Sequence, residues 1–374
     1  MMNARNLGVP IDAAALEAAI KESVQAAVDS QLEAGLTVIN DGENSKDSWW
    51  RYITERLTGF GFVKGAPLPR TFGHGAQREV DDFPDFFEEH WEPDAFARKR
   101  GRPSERLCCT GPIEWRDFSQ VERDIRNLKD VTRGRELADV FVTSPSPGSV
   151  LQAIPNRHFA NDDEYLEAVG EALRREYQAI VDAGFVLQLD CPDLATRAGP
   201  TDENGVPLPY PLADFRRDIA RNIEALNHAT RTIDPDQMRI HVCWGSVERP
   251  HHTDVELASI VDILLTARPA GMTIVAANGR HEHEWQVWKD VKLPDGKVLI
   301  PGVIDSTTNI IEHPETVAER IERFASVLGR ENIIAGVDCG FQTSVGRDQV
   351  DPKIAWAKLR SLAEGAELAS RRLY

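Results

Sequence analysis

A chain of 374 residues, 41% of them hydrophobic, can bury a large core, and an α/β barrel alone commonly takes about 250 residues or more. With 60 acidic against 43 basic residues the formal charge is −17, which argues against nucleic acid or an anionic membrane as partner. No run approaches the ~18 apolar residues of a membrane span, no basic-then-apolar leader opens the sequence, and Cys108, Cys109, Cys191, Cys243 and Cys339 are too sparse for a disulfide framework. A cytoplasmic protein with reduced thiols is expected.

Residues 11–35 read as a helix, with Ala, Leu, Ile and Val at three- and four-residue spacing and Gly35 beyond its end. Residues 36–40 follow as a strand, then the polar turn Asp41-Gly42-Glu43-Asn44-Ser45-Lys46. This helix, strand and polar-loop order is the repeat of a parallel α/β fold, whose chemistry sits at the carboxyl ends of the strands. Residues 61 to about 107 break the rhythm and are rich in Pro, Gly, Asp and aromatics; they are expected to be a lid, a hairpin or an oligomer contact. Trp49, Trp50 and the aromatic 81–91 stretch point to a covered surface, as in a homo-oligomer.

The repeat then resumes. Strands are expected near 140–143, 185–190, 238–242, 271–276, 298–305 and 333–338, with helices near 162–183, 212–229, 254–266, 314–328 and 351–371. The expected fold is one TIM-type (β/α)8 barrel spanning residues 1–374, with the 61–107 stretch as an insertion. Seven barrel strands are legible, and Cys109 to Ile113 reads as an eighth that lies in the barrel or outside it. Residues 1–10 are candidates for a degenerate first strand; otherwise the chain lacks a regular one.

The sequence converges on Met238-Arg239-Ile240-His241-Val242-Cys243-Trp244-Gly245. Residues two apart on a strand share a face, so His241 and Cys243 point the same way. Cys339, in Val337-Asp338-Cys339-Gly340, also closes a strand before glycine. Three N/S ligands with an open fourth position is the pattern of catalytic zinc. The bland alternative is that these are core residues, since cysteine is among the most buried types. A free thiol is mostly protonated at neutral pH, and coordination to zinc deprotonates it. Zn2+ is therefore the expected cofactor, and a small thiol with an alkyl donor the expected substrates.

Other polar groups fall at the same strand ends. Asp190 and Asp193 follow the most apolar strand and are read as binding a cationic group or orienting His241, or as loop caps; Asp41 and Glu43 have the same standing. Arg280, in Asn278-Gly279-Arg280-His281-Glu282-His283-Glu284, is read as a binder of a substrate anion. Asp305 heads Ser306-Thr307-Thr308, Phe341-Gln342-Thr343-Ser344 follows Cys339, and Gly148 with Ser149 suits an anion-binding nest. The candidate catalytic carboxylates are Asp190 and Asp305. The candidate substrate contacts are Glu43, Asp41, Asp190, Arg280 and Ser149.

Taken together, Asp41-Gly42-Glu43, Leu189-Asp190-Cys191-Pro192, His241-Val242-Cys243, Asn278 to Glu284, Gly302-Val303-Ile304-Asp305 and Val337-Asp338-Cys339-Gly340 resemble the C-terminal catalytic barrel of the cobalamin-independent methionine synthase family. The set looks closer to stand-alone bacterial members such as epoxyalkane:coenzyme M transferase. The resemblance implies that His241, Cys243 and Cys339 ligate zinc, that Glu43 and Asp190 hold the amino group of homocysteine, and that a zinc-held thiol attacks an alkyl donor in line. Three positions depart from the pattern. Apolar Val275 stands where the family has a fourth ligand, a Glu; Ser306, Thr307 and Thr308 stand where methionine synthase has a proton-transferring His; and the first strand with its Gly-Ser loop is missing. These departures favour thiol alkylation in general over folate-dependent methionine synthesis. A metal-free decarboxylase on a barrel like that of uroporphyrinogen decarboxylase, and a zinc-binding protein without turnover, remain as rivals.

Overall fold

The computed structural model describes residues 9–66, 74–90, 105–197, 199–200, 208–342 and 349–374. Seven strands form a curled parallel sheet with helices against it: β1 (Val38–Ile39), β4 (Asp139–Pro145), β5 (Val186–Asp190), β6 (Met238–Val242), β7 (Gly271–Ile274), β8 (Val298–Ile304) and β9 (Gly336–Val337), adjacent in that order. This is an α/β fold of the TIM-barrel type. The other two strands, β2 (Phe60–Lys64) and β3 (Glu105–Cys109), pair antiparallel outside that sheet.

All seven strands expected in the parallel sheet are present, and the Cys109 segment lies outside it. The 61–107 stretch holds most of the antiparallel β2–β3 pair and, between these strands, two helices, His74–Asp82 and Pro84–His90. A first strand in residues 1–8 falls outside the described residues, as do Thr343 and Ser344. The segment near 254–266 differs from expectation: it makes only a 3-10 turn, Leu257–Ser259, and one helical turn, Val261–Leu264. Its apolar residues Leu257, Ile260, Val261 and Leu264 are all buried at helical spacing, which is why the sequence reads as a helix. The Leu257 N–H donates to Glu284 rather than to a helical carbonyl.

Alternation along the strands decides what faces the barrel interior. On β5, Leu187 and Leu189 are fully buried in the hydrophobic core, while Gln188 and Asp190 take the other face. On β6, Met238, Ile240 and Val242 join that core, leaving Arg239 and His241 opposite. The two polar sets meet: Arg239 Nε donates to Gln188 at 2.8 Å, and Asp190 is the register partner of His241. The helix Ala13–Glu33 shows how local sequence sets the outer layer. Asp12 caps its start by accepting from the Ala15 N–H at 2.8 Å, and its Ile20, Val24 and Val28 stripe is buried. Among the described residues no helix is long and apolar enough to cross a membrane.

Candidate metal centre

Cys243 directly follows β6 and Cys339 follows β9, so each leaves the carboxyl end of its strand. The Cys243 and Cys339 sulfurs lie 3.9 Å apart, and a donor atom of His241 is within 4.8 Å of both. Two Zn–S bonds of about 2.3 Å at a tetrahedral angle separate their sulfurs by roughly 3.8 Å, so the pair is already at ligand spacing. His241 and Cys243 are buried and Cys339 is half-buried. Val275 is also buried and has no donor atom for a fourth ligand.

The electrostatics split the two thiols. The hydrogen bond with Cys339 holds the Cys243 thiol below its ordinary pKa against the cost of burial, with help from the Gly245 N–H and Arg280. The same hydrogen bond, then burial, pushes Cys339 well above its ordinary value. Burial pulls the His241 imidazole down, but the Cys339 sulfur and the Asp190 carboxylate outweigh it and hold its pKa above the usual value.

Asp190 and Glu43 flank this cluster. Burial, then the Glu43 charge, raises Asp190 to about 6, while His241 and Lys46 work against the rise. Glu43 adopts a left-handed φ of 53° and accepts a short hydrogen bond from the Thr143 hydroxyl. Asp41 is 2% exposed and folds its carboxylate back onto the Glu43 N–H at 2.9 Å, so it shapes the turn. Sequence reasoning missed Lys46. Its ammonium donates to the Thr143 carbonyl and hydroxyl, both at 2.9 Å, and lies 3.7 Å from Glu43. The Glu-x-x-Lys spacing in a polar turn was the available signal.

The remaining candidates are spread around the mouth. Ser149 is 1% exposed, and its hydroxyl is engaged at 2.8 Å with both the Asp190 carbonyl and the Asp193 carboxylate. The anion seated against this turn is thus the protein's own Asp193, which Ser146 and Asn222 also bind. Gly148 permits that approach, since an added Cβ would lie 2.0 Å from Asp193 Oδ2. Gly148→Ala is expected to cost about 1–3 kcal/mol through overpacking, read as a lower midpoint in urea unfolding.

Asp305 accepts from the Thr307 N–H and hydroxyl, each at 2.8 Å, and from the Asn278 amide at 3.2 Å. Arg280 donates to Asp254 at 3.2 Å and to the Gly245 carbonyl, while its Nε has no hydrogen-bond partner among the described residues. Asp338, quoted in the Cys339 motif but given no role, takes three backbone N–H groups, from Ala276, Ala277 and Asn278, at 2.7–2.9 Å. It thereby ties the loop after β7 to the strand that presents Cys339.

A parallel α/β barrel here gathers an imidazole and two thiols at the carboxyl ends of two strands, a donor set that could hold a metal ion. No family model matches the chain. Curated relatives named methionine synthase run along nearly all of it. The one from Saccharolobus solfataricus is 23% identical over 361 residues, covering 96% of this chain and 86% of that protein. The one from Sulfolobus acidocaldarius is 23% identical over 361 residues, with 96% and 84% covered. The solved structure of a B12-independent methionine synthase from Shewanella sp. W3-18-1, in complex with selenomethionine, shares the fold with a TM-score of 0.70, at 15% identity, over 97% of this chain and 91% of that one. The chain is thus similar along nearly its whole length to proteins named methionine synthase, and in fold to a B12-independent one.

Proposed function

We propose that this chain, as one barrel domain, is a zinc-dependent enzyme that alkylates or methylates a small thiol, either a coenzyme M-like thiol or homocysteine. The observation carrying this reading is the 3.9 Å approach of Cys243 and Cys339, with His241 in reach of both. Three donors leave one coordination position open, as catalytic rather than structural sites do. Zinc bound there supplies the charge that keeps an incoming thiol deprotonated at neutral pH. Relatives named methionine synthase along almost the whole chain support methyl transfer to a thiol. All five cysteines are free, which suits a reducing, cytoplasmic setting.

The protein's own groups position the reactants. Glu43 and Asp190 hold a cationic group of the acceptor beside the metal, and the Nε of Arg280 is left to meet an anionic one. Asp305, fixed by Thr307 and Asn278, offers its carboxylate at the same mouth. Testing this requires purified protein assayed for zinc and supplied in parallel with homocysteine and a sulfonated thiol, each with a methyl donor and an epoxide. One zinc per chain and alkylation of one acceptor are expected. Metal-free protein that remains active would end the proposal.

The pKa of Asp190 sets a pH signature. With its carboxyl at about 6, the group is charged at neutral pH and gains a proton as pH falls through that value. KM for an acceptor bearing an ammonium group is therefore expected to rise below pH 6, and Asp190→Asn to have a high, pH-independent KM over that range. For stability, this carboxyl has a folded pKa above its unfolded value of about 4. Between those values the folded chain holds the proton more tightly, so this contribution falls as pH rises from about 4 to 6.

A further inference from the structure

A second group of ligand-type side chains, Glu79, His251 and Asp254, brings donor atoms within 4.8 Å of one another. It is not a second cation site, because its carboxylates already face cations: Arg249 lies 3.2 Å from Glu79, and Arg280 lies 3.2 Å from Asp254. Its organisation points elsewhere. Asp254 is a hub: Oδ1 receives His251 Nδ1 at 3.1 Å, and Oδ2 receives both His281 Nε2 and Arg280 Nη1 at 3.2 Å. His281 is fixed in turn by Glu284 at 2.8 Å, and its ring lies 4.3 Å from that of Trp244.

From this hub a chain of contacts runs to the metal-ligand cluster. Arg280, anchored by Asp254, donates to the Gly245 carbonyl. Gly245 holds a φ of +93°, a conformation that needs glycine, and its N–H points at the Cys243 sulfur at 3.1 Å. Residue Gly245 is thus held at its carbonyl by Arg280, while its N–H is hydrogen-bonded to the sulfur.

We propose that Asp254 is a positioning residue for Cys243, acting through Arg280 and the Gly245 backbone to fix the sulfur in ligating geometry. This rests on the reading that His241, Cys243 and Cys339 hold zinc. Partners that orient a ligand commonly change metal affinity by about 10–100-fold. A buried ion-pair hub that served only the fold would affect unfolding without selectively affecting metal affinity.

The experiment measures zinc affinity of the full chain by competition with a chromophoric chelator, alongside urea unfolding of the metal-free protein. Asp254→Asn and Arg280→Lys are each expected to weaken zinc binding by about 10–100-fold. The double variant should be little worse than the more severe single one, because both interrupt one path. Glu79→Gln, which weakens the buried pair with Arg249 and leaves Asp254, Arg280 and Gly245 unaltered, should lower the unfolding midpoint and leave zinc affinity unchanged. Effects that multiply in the double variant, or a Glu79→Gln loss of affinity equal to that of Asp254→Asn, would overturn the proposal. If Asp254→Asn does not fold, Arg280→Lys carries the test, since it keeps the charge beside Asp254 and shortens the reach to Gly245; unchanged affinity there overturns it. Wild-type protein that binds no zinc removes the metal reading and this inference together. Wild-type binding with insensitive variants removes only the inference.

Discussion

Cys243→Ser and Cys339→Ser are each expected to abolish retention of zinc through purification and to lower thiol alkylation by more than about 100-fold. The bound rests on scale: loss of a partner that merely orients a ligand costs about 10–100-fold, so loss of a ligand costs more. Serine is close to cysteine in size, so the variants should stay folded. Elemental analysis and single-turnover alkylation on the same preparations decide the matter. Wild-type zinc content in either variant would mean that the two sulfurs are neighbours without being ligands.

The largest expected effect on stability lies away from the site. Arg56 is 1% exposed and bonds Glu176 at 2.7 Å, with its guanidinium 3.9 Å from the centre of the Tyr52 ring. The Ser144 hydroxyl, at 3.1 Å, also donates to Glu176. Arg56→Met leaves the carboxylate buried without its cation and is expected to cost about 3–5 kcal/mol, measured by urea unfolding. Pairing it with Glu176→Leu should recover most of that loss, because removing both charges also removes the desolvation penalty. A single-variant loss below about 1 kcal/mol would show that water reaches Glu176.

The legible parts of the molecule were those set by local pattern. β5 and β6 could be read because alternating or near-continuous apolar residues end at Asp or Gly, and the helices because their stripes have caps. The convergence of His241, Cys243 and Cys339 was legible because two strand-end motifs each offer soft donors. What escaped depends on groups with no sequence signature. Asp338 matters through three backbone N–H groups, and Lys46 through a carbonyl on β4. The Ser149 nest could be read as open to an external anion because nothing in the sequence says that Asp193 turns back into it. The 254–266 segment has helical spacing, but the Asp254 hub at its start and the bond from Leu257 to Glu284 draw its backbone elsewhere.

Cys243 and Cys339 are separated by 96 positions in the chain, and β9 leaves the ribosome after every other strand among the described residues. Any ion seated between them would act as a late rivet. A nascent polypeptide not yet extended through Cys339 has only two of the three donors, so loading must wait for β9 to dock. Chelation should accordingly loosen the β8–β9 margin first, detectable as faster amide exchange there while β5 remains protected.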